Sequence, residues 1–193
     1  MVRVALTGNY GSGKSSILKY FREFGAFCIN ADEIVGELLE DPAVLEKLRK
    51  LAGDGVFEGG RLSKKRMADA VFSDSALRKA VEDLMHPMVL ARVEELSSGP
   101  GSGIVFIEIP LLFEKGYEGM FDKVITVYTE QETALGRLEK AGVPRQEALR
   151  RLCVQMPISQ KTKRADYVIN NEGTPEEARR QARRIYDELK AAA

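Results

Sequence analysis

The residues best suited to chemistry lie in a glycine-rich run at positions 8–15, which ends in a lysine and a serine. Glycines let the backbone turn sharply, so that several N–H groups point into one concavity, and a following helix adds partial positive charge. An apolar segment precedes the run and a helix-forming segment follows it, as a P-loop requires. The sequence therefore predicts a site for the phosphates of ATP, formed by Gly8, Asn9, Tyr10, Gly11, Ser12, Gly13, Lys14, Ser15 and Ser16.

Two residues of this run are expected to act in phosphoryl transfer. Lys14 supplies a full positive charge, and Ser15 is placed to hold a Mg²⁺ ion that bridges the terminal phosphates. Both ATP and Mg²⁺ are therefore expected. A P-loop alone does not define a kinase, because GTPases, helicases and ATP-driven scaffolds share it. The sequence has no Asn-Lys-x-Asp guanine-reading motif, which counts against a GTPase.

Two acidic residues follow predicted strands and are candidates for chemistry. Asp32 can accept a proton from an acceptor hydroxyl or help to position Mg²⁺, but it can equally cap the next helix. Glu108 ends an apolar strand, where an acid can orient Mg²⁺ through water; the alternative is a solvated strand end. A charge at the end of a buried strand costs several kcal/mol (~2–7) unless it is paired or hydrated.

Short apolar segments alternate with longer amphipathic helices, which indicates an α/β fold with a five-stranded parallel sheet covered on both faces. A capping box at Thr174–Glu177 predicts the start of the last helix. The expected strands, all rich in β-branched or aromatic residues, are Val2–Thr7, Ala26–Ile29, Ile104–Ile109, Val124–Tyr128 and Tyr167–Ile169.

Two stretches are too long for simple crossover helices and indicate insertions at the ligand-binding edge of the sheet. Residues 33–99 are nearly all helical, with no convincing strand, and residues 129–164 are helical and basic. The expected organisation is a nucleotide-binding core of residues 1–32, 100–128 and 165–193, a helical acceptor subdomain at 33–99 and a lid at 129–164.

Composition limits the class of protein. The 193 residues have a formal net charge of zero and are 44% hydrophobic, which argues against broad binding to nucleic acid or an anionic membrane. No apolar run approaches the roughly 20 residues of a membrane span. The two cysteines fit reduced thiols, so a cytoplasmic protein is expected.

Several motifs in a fixed order resemble the dephospho-CoA kinase family over nearly the whole chain. They are the loop at Leu6–Ser15, the Ala-Asp-Glu-Ile segment at Ala31–Ile34, the pair His86-Pro87, the Pro-Leu-Leu-Phe-Glu segment at Pro110–Glu114 and the stretch Ala165–Gly173. The resemblance implies a three-layer P-loop kinase fold. It also implies ATP-dependent phosphorylation of the ribose 3′-hydroxyl of dephospho-CoA, the last step of coenzyme A synthesis.

The resemblance assigns roles to residues that the spacing alone leaves open. Asp32 becomes the best candidate for the general base, and His86 with Pro87 is expected to bind the acceptor rather than to do chemistry. On the residues alone, a structural role for His86 in a long helix is favoured. The segment containing Leu111 and Glu114 is expected near the substrate pocket.

Cationic residues are the next group of candidates. The basic stretch 129–164 suits a lid that closes over ATP and supplies positive charge, with Arg137 and Arg145 as the chosen residues, although any single helical arginine more often faces water. Gln155 and Lys161 match residues common in the family. Lys64 can meet the diphosphate of the acceptor, with solvent exposure as the alternative.

The stretch with Asn171 and Gly173 is expected to bring backbone near the P-loop and hold adenine. Asn30 stands where the family usually has an aspartate, and Asn9 and Tyr10 replace a glycine and an isoleucine.

A monomer or weak homo-oligomer is expected. Competing hypotheses are a kinase for nucleoside monophosphates or shikimate, and a nucleotide-gated binding protein that is not an enzyme.

Overall fold

The apolar segment before the glycine-rich run forms the central strand of a parallel sheet. The computed structural model describes residues 1–98 and 103–192. Its strands are β1 (Val2–Gly8), β2 (Phe27–Asn30), β3 (Phe57–Glu58), β4 (Arg61–Leu62), β5 (Ile104–Glu108), β6 (Lys123–Tyr128) and β7 (Tyr167–Asn170). The five predicted strands are confirmed to within one residue at each end.

The α-helices of the described residues are α1 (Lys14–Glu23), α2 (Ala31–Leu38), α3 (Pro42–Ala52), α4 (Lys64–Ser73), α5 (Ser75–Ser97), α6 (Gln131–Lys140), α7 (Arg145–Cys153), α8 (Ile158–Arg164) and α9 (Pro175–Ala192). Short 3₁₀ turns occupy Asp54–Val56 and Glu118–Met120. Within these ranges, no helix is long and apolar enough to pass through a lipid bilayer.

The main sheet has the order β2-β5-β1-β6-β7, and every pairing in it is parallel. Strands β1 and β5 are almost wholly buried, as expected when helices cover both faces of a parallel sheet. Because all five strands run the same way, their carboxyl ends meet at one edge. The loop after β1 and Glu108 at the end of β5 therefore lie at the same edge of the sheet.

Helices α1 and α9 cover the core of this sheet with apolar and aromatic side chains. Phe21 of α1 stacks on Phe106 of β5 with ring centroids 3.9 Å apart, and Tyr186 of α9 contacts the same ring. The capping box is confirmed at the start of α9. There the Thr174 N–H donates to Glu177 Oε2 at 2.8 Å, and the Glu177 N–H donates to Thr174 Oγ1 at 3.2 Å.

The chain divides into two compact units. One contains Met1–Asn30 together with the described residues from 103 onward, and the other is Ala31–Ser98. The sequence-based boundary at residues 99 and 100 lies outside the described residues. The three-part organisation, with residues 129–164 as a separate lid, stays a proposal.

The second unit has its own core, formed where α2–α5 pack around Val44, Leu48, Phe57, Met67 and Met85. The expectation that this stretch has no strand is wrong. An antiparallel hairpin pairs Phe57 with Leu62 and Glu58 with Arg61. Its strands are two residues long and turn at Gly59 and Gly60, both with positive φ, so the alternation that identifies a strand never develops.

Candidate active site

The glycine-rich loop joins the end of β1 to the start of α1, and its glycines are required by close neighbours. Gly11 and Gly13 have φ of 80° and 85°. A Cβ atom on Gly11 would lie 2.9 Å from the backbone oxygen of Ala134, and one on Gly13 would lie 2.4 Å from Asn171 Nδ2. The loop can therefore hold this shape only without side chains at these positions.

Two carbonyl groups of the loop are held by hydrogen bonds. The Asn9 carbonyl accepts from the Ser12 N–H at 3.1 Å and from Lys14 Nζ at 3.2 Å. The Ser12 carbonyl accepts from Asn171 Nδ2 at 2.8 Å and from the Thr129 hydroxyl at 3.1 Å. Since the C=O and N–H of a trans peptide point in opposite directions, fixing the Ser12 carbonyl also fixes where the Gly13 N–H points.

The interior of the loop fits a phosphate group. Lys14 is buried, with 7% of its surface exposed, and its ammonium group lies at the loop. The hydroxyl of Ser12 and the side-chain oxygen of Asn9 are buried without a hydrogen-bond partner in the described structure. A buried hydroxyl without a partner costs free energy unless a ligand satisfies it. Together with the start of α1, the Lys14 ammonium and the Ser12 hydroxyl form a site for an anion, whereas the Asn9 side-chain oxygen can only accept and needs a donor.

Ser15 and Glu108 meet beside the loop. Glu108 is 3% exposed, and its Oε1 accepts a hydrogen bond from the Ser15 hydroxyl at 3.2 Å. Its Oε2 lies 3.5 Å from the Asn30 side-chain nitrogen, which donates to it across the pairing of β2 with β5. Burying a carboxylate costs free energy unless the group is paired. Glu108 therefore needs a cation or hydrogen-bond donors beside it.

These oxygen donors fit Mg²⁺, which prefers hard oxygen ligands and keeps several waters. Ser15 would bind the ion directly, and Glu108 would orient a water of its shell. Among residues 1–98 and 103–192, no group of three or more His, Cys, Asp or Glu could hold a metal ion. The remaining ligands of Mg²⁺ here would have to be phosphate oxygens and water.

Arg137 joins α6 to the segment after β7 beside the loop. Its Nη2 donates to the Asn171 carbonyl at 2.6 Å and its Nη1 donates to the Thr129 hydroxyl at 3.4 Å. The structure thus brings Arg137 and Asn171 to the outer side of the loop. Gly173 lies further along the same segment, next to the Glu177 carboxylate of the capping box.

Arg145 lies at the surface in ion pairs. Its guanidinium contacts Glu132 at 2.7 Å and Glu139 at 3.6 Å, and its side chain is 44% exposed. The hydrogen bond and charge of Glu132 raise the pKa of Arg145. The structure therefore places this arginine on carboxylates rather than at the phosphate loop.

Glu114 forms a buried ion pair. Its Oε1 accepts from Lys161 Nζ at 2.8 Å and from the Met156 N–H at 2.8 Å. Lys161 is fully buried and also donates to the Pro110 carbonyl at 3.4 Å. Burial lowers the pKa of Lys161, and the hydrogen bond to Glu114 opposes that shift. Glu114 is thus engaged within the protein, while neighbouring Leu111 is half-buried.

The other predicted residues lie in the second unit. Asp32 is exposed in the first turn of α2. Because α2 begins at Ala31, Asp32 lies inside the helix and not at the capping position before it. Lys64 is exposed at the start of α4 and lines a cavity of about 410 Å³. His86 and Pro87 lie in the middle of α5, with His86 half-buried and Pro87 exposed.

Sequence reasoning missed the support that Thr129 and Gln155 give to the loop. Gln155 Oε1 accepts a hydrogen bond from the Tyr10 N–H at 2.8 Å. Gln155, Thr129 and Asn9 line a cavity of about 400 Å³. Thr129 follows β6 directly, and a polar residue after a buried strand is a signal that could have identified it. Gln155 matches a residue common in the family that the sequence resembles, but that match does not indicate a contact with the loop.

Comparisons with known proteins agree along almost the full length. Residues 2–177 match the family model described as dephospho-CoA kinase. The chain is 37% identical over 192 residues to a dephospho-CoA kinase from Aquifex aeolicus, covering 98% of each protein. It is similar to a solved structure of TT1252 from Thermus thermophilus, with a TM-score of 0.86, 37% identity and 97% coverage of both chains. A dephospho-CoA kinase structure from Campylobacter jejuni matches with a TM-score of 0.70, 28% identity and 98% coverage of both.

Proposed function

The chain belongs to the dephospho-CoA kinase family, and from this premise we propose that it transfers the terminal phosphoryl group of ATP to the ribose 3′-hydroxyl of dephospho-CoA. The products are coenzyme A and ADP, and the reaction is the last step of coenzyme A synthesis. The observation that carries the chemistry is the contact of Ser15 with buried Glu108 beside the phosphate loop. The family supplies the identity of the acceptor.

On the donor side, the loop holds the β- and γ-phosphates of ATP with its backbone N–H groups. Lys14 leaves the Asn9 carbonyl, its partner in this structure, to follow the negative charge of the transferring group. Arg137, on the outer side of the loop, adds positive charge close to the site. Arg145 can act only if it leaves Glu132 and Glu139, which makes it the weaker candidate of the two arginines.

Mg²⁺ supplies charge neutralisation at the phosphates when it is bound. Ser15 would hold the ion, and the Glu108 carboxylate would orient a water beside it. Asn30 donates to Glu108 and keeps that carboxylate in place.

On the acceptor side, Asp32 takes or orients the proton of the 3′-hydroxyl. It is exposed in the first turn of α2 and follows β2 by two residues. The helical unit with Lys64, His86 and Pro87 binds the rest of dephospho-CoA, and the segment with Leu111 and Glu114 borders its pocket. Residues 129–164 act as the lid.

The decisive experiment exchanges Asp32 for Asn and measures both ADP binding and phosphoryl transfer to dephospho-CoA. We expect transfer to fall by about 10²–10⁴-fold while the Kd for ADP stays within about threefold. Glu33→Gln is the matched control, because it removes a neighbouring exposed carboxylate in the same helical turn. Unchanged transfer in Asp32→Asn would show that a group other than Asp32 is the base. Absence of ATP turnover by the wild-type protein with every acceptor would favour a nucleotide-gated binding protein.

A panel of acceptors tests the substrate. The wild-type protein should consume ATP with dephospho-CoA and not with AMP or shikimate. Turnover with AMP or shikimate alone would show that the acceptor has been assigned wrongly, even though the loop binds ATP.

A further inference from the structure

We propose that Gln155 is a positioning residue for the phosphate loop, acting through Tyr10 without touching the nucleotide. This inference rests on the proposed binding of ATP at that loop. Gln155 lies two residues after α7, in the stretch 129–164, and its side-chain oxygen accepts the Tyr10 N–H at 2.8 Å. The contact spans 145 residues of sequence.

The peptide group between Asn9 and Tyr10 is held from both sides. Its carbonyl accepts from the Ser12 N–H and from Lys14 Nζ, and so faces the interior of the loop. The bond is trans, so the N–H of Tyr10 must face the opposite way. The side-chain oxygen of Gln155 accepts the hydrogen bond from that N–H. If the peptide turned over, the Ser12 N–H would lose this acceptor, so Gln155 stabilises the loop shape that remains when Lys14 moves to the nucleotide.

The side chain of Tyr10 binds the same part of the chain. Its ring packs on the cluster that contains Leu135 and Leu152, and the Arg151 guanidinium lies 5.0 Å from the ring centroid. Arg151 Nη1 also lies 3.3 Å from the Tyr10 hydroxyl, to which it donates. The ring thus holds the end of α7 beside the loop, which keeps Gln155 within reach of the Tyr10 N–H.

The Ser12–Gly13 peptide is held in the same way from other elements. Thr129 and Asn171 take the Ser12 carbonyl on the outside of the loop. Gln155 supplies the corresponding contact for the Asn9–Tyr10 peptide. Loss of the Gln155 side chain should therefore leave the contacts of Thr129 and Asn171 in place. It should weaken nucleotide binding while kcat changes little.

The test compares wild-type protein with Gln155→Met, which keeps the size of the side chain and removes its acceptor oxygen. The matched control is Gln160→Met, the same change on the exposed surface of α8. Isothermal titration with ADP, without any acceptor substrate, gives the Kd. Loss of one neutral hydrogen bond should weaken ADP binding about fivefold to tenfold in Gln155→Met. We expect the KM for ATP to rise by a similar factor while kcat stays within about twofold.

A second readout uses the protein without nucleotide. Amide hydrogen exchange in a peptide covering residues 8–16 should be faster in Gln155→Met than in wild type, with thermal stability nearly unchanged. The control Gln160→Met should keep the wild-type exchange rate and bind ADP within about twofold of wild type.

Several outcomes would overturn the inference. They are wild-type ADP affinity and exchange in Gln155→Met, an equal loss of affinity in Gln160→Met, or a fall in kcat with KM unchanged. Because ADP binding needs no acceptor, these results are separate from the proposed reaction. If wild-type protein fails to phosphorylate dephospho-CoA, the proposed function fails and the role of Gln155 is still decided by the Kd.

Discussion

Ser15 and Glu108 are hydrogen-bonded at 3.2 Å, although they are 93 residues apart in the chain. The bond joins the first turn of α1 to the end of the neighbouring buried strand β5. It is a direct result of parallel topology, which brings the carboxyl ends of β1 and β5 to the same edge. A hydroxyl and a carboxylate thereby share the position where the metal of a phosphoryl-transfer site is expected.

Glu108→Gln should abolish most turnover while preserving the fold. The amide can still accept from Ser15, but the negative charge that we propose orients the metal shell is gone. We expect kcat to fall by about 10²-fold or more, with the Kd for ADP in the absence of Mg²⁺ within about threefold. Steady-state kinetics over a Mg²⁺ titration checks this. Glu176→Gln, an exposed change in α9, is the control, and turnover within tenfold of wild type would contradict the role of Glu108.

Asn30→Asp should make stability depend on Mg²⁺. The Asn30 amide donates to Glu108, and an aspartate would put a second carboxylate at about that distance. Like charges this close repel, so we expect a loss of about 1 kcal/mol in EDTA, or ~2–4 °C in Tm. Mg²⁺ should restore part of it. Differential scanning fluorimetry in EDTA and in Mg²⁺ measures the effect. The exposed change Asn170→Asp is the control, and equal shifts in both variants would refute the prediction.

Lys161→Met should destabilise the protein more than any change at an exposed lysine. It leaves the carboxylate of Glu114 largely buried without its cation, and breaking such a pair costs about 3–5 kcal/mol. The double variant Lys161→Met with Glu114→Gln should recover much of this, since the amide oxygen still accepts from the Met156 N–H. Urea unfolding measures all three proteins. Lys163→Met on the same helix should change stability by less than about 0.5 kcal/mol.

The two cysteines should behave differently at alkaline pH. Burial raises the pKa of Cys28 from 9.0 to about 12, whereas Cys153 is exposed. Above pH 9 the unfolded thiol loses its proton while the folded one keeps it, so the stability tied to Cys28 is lost as pH rises from about 9 towards 12. The free energy of unfolding of Cys28→Ala should therefore fall less steeply over this window than that of wild type. Equal slopes would contradict the prediction.

Thiol labelling provides an independent check on the same pair. Because the thiolate is the reactive form, Cys153 should react with a disulfide reagent at pH 8 at least about tenfold faster than Cys28. Cys153→Ala should remove the fast phase and leave the pH dependence of stability unchanged.

Much of the fold follows from local patterns. The strands β1, β5 and β6 are short segments dominated by apolar residues. The capping box at Thr174 marks the start of α9 within one residue. The hairpin at Phe57–Leu62 escaped because its two-residue strands are too short to show a period. Its clearest trace in the sequence is the pair of adjacent glycines at the turn.

The site was predictable where chemistry and topology coincide. Lys14, Ser15 and Glu108 can be identified because a P-loop has a fixed spacing and a parallel sheet has one functional edge. Contacts such as that of Gln155 with Tyr10 depend on how separate helices pack. The spacing of residues along the sequence does not predict such contacts. For the same reason, a basic residue such as Arg145 cannot be distinguished from a surface ion pair before Glu132 and Glu139 are located.

The support of the Ser12 carbonyl has a consequence for synthesis of the protein. Its two partners, Thr129 and Asn171, lie 117 and 159 residues further along the chain. During synthesis on the ribosome, the loop therefore emerges well before the groups that hold it. Strand β1 likewise has no neighbouring strands until β5 and β6 have been synthesised. Nucleotide affinity is thus gained late in translation, so chains cut short before β7 should leave the ribosome unable to sequester ATP.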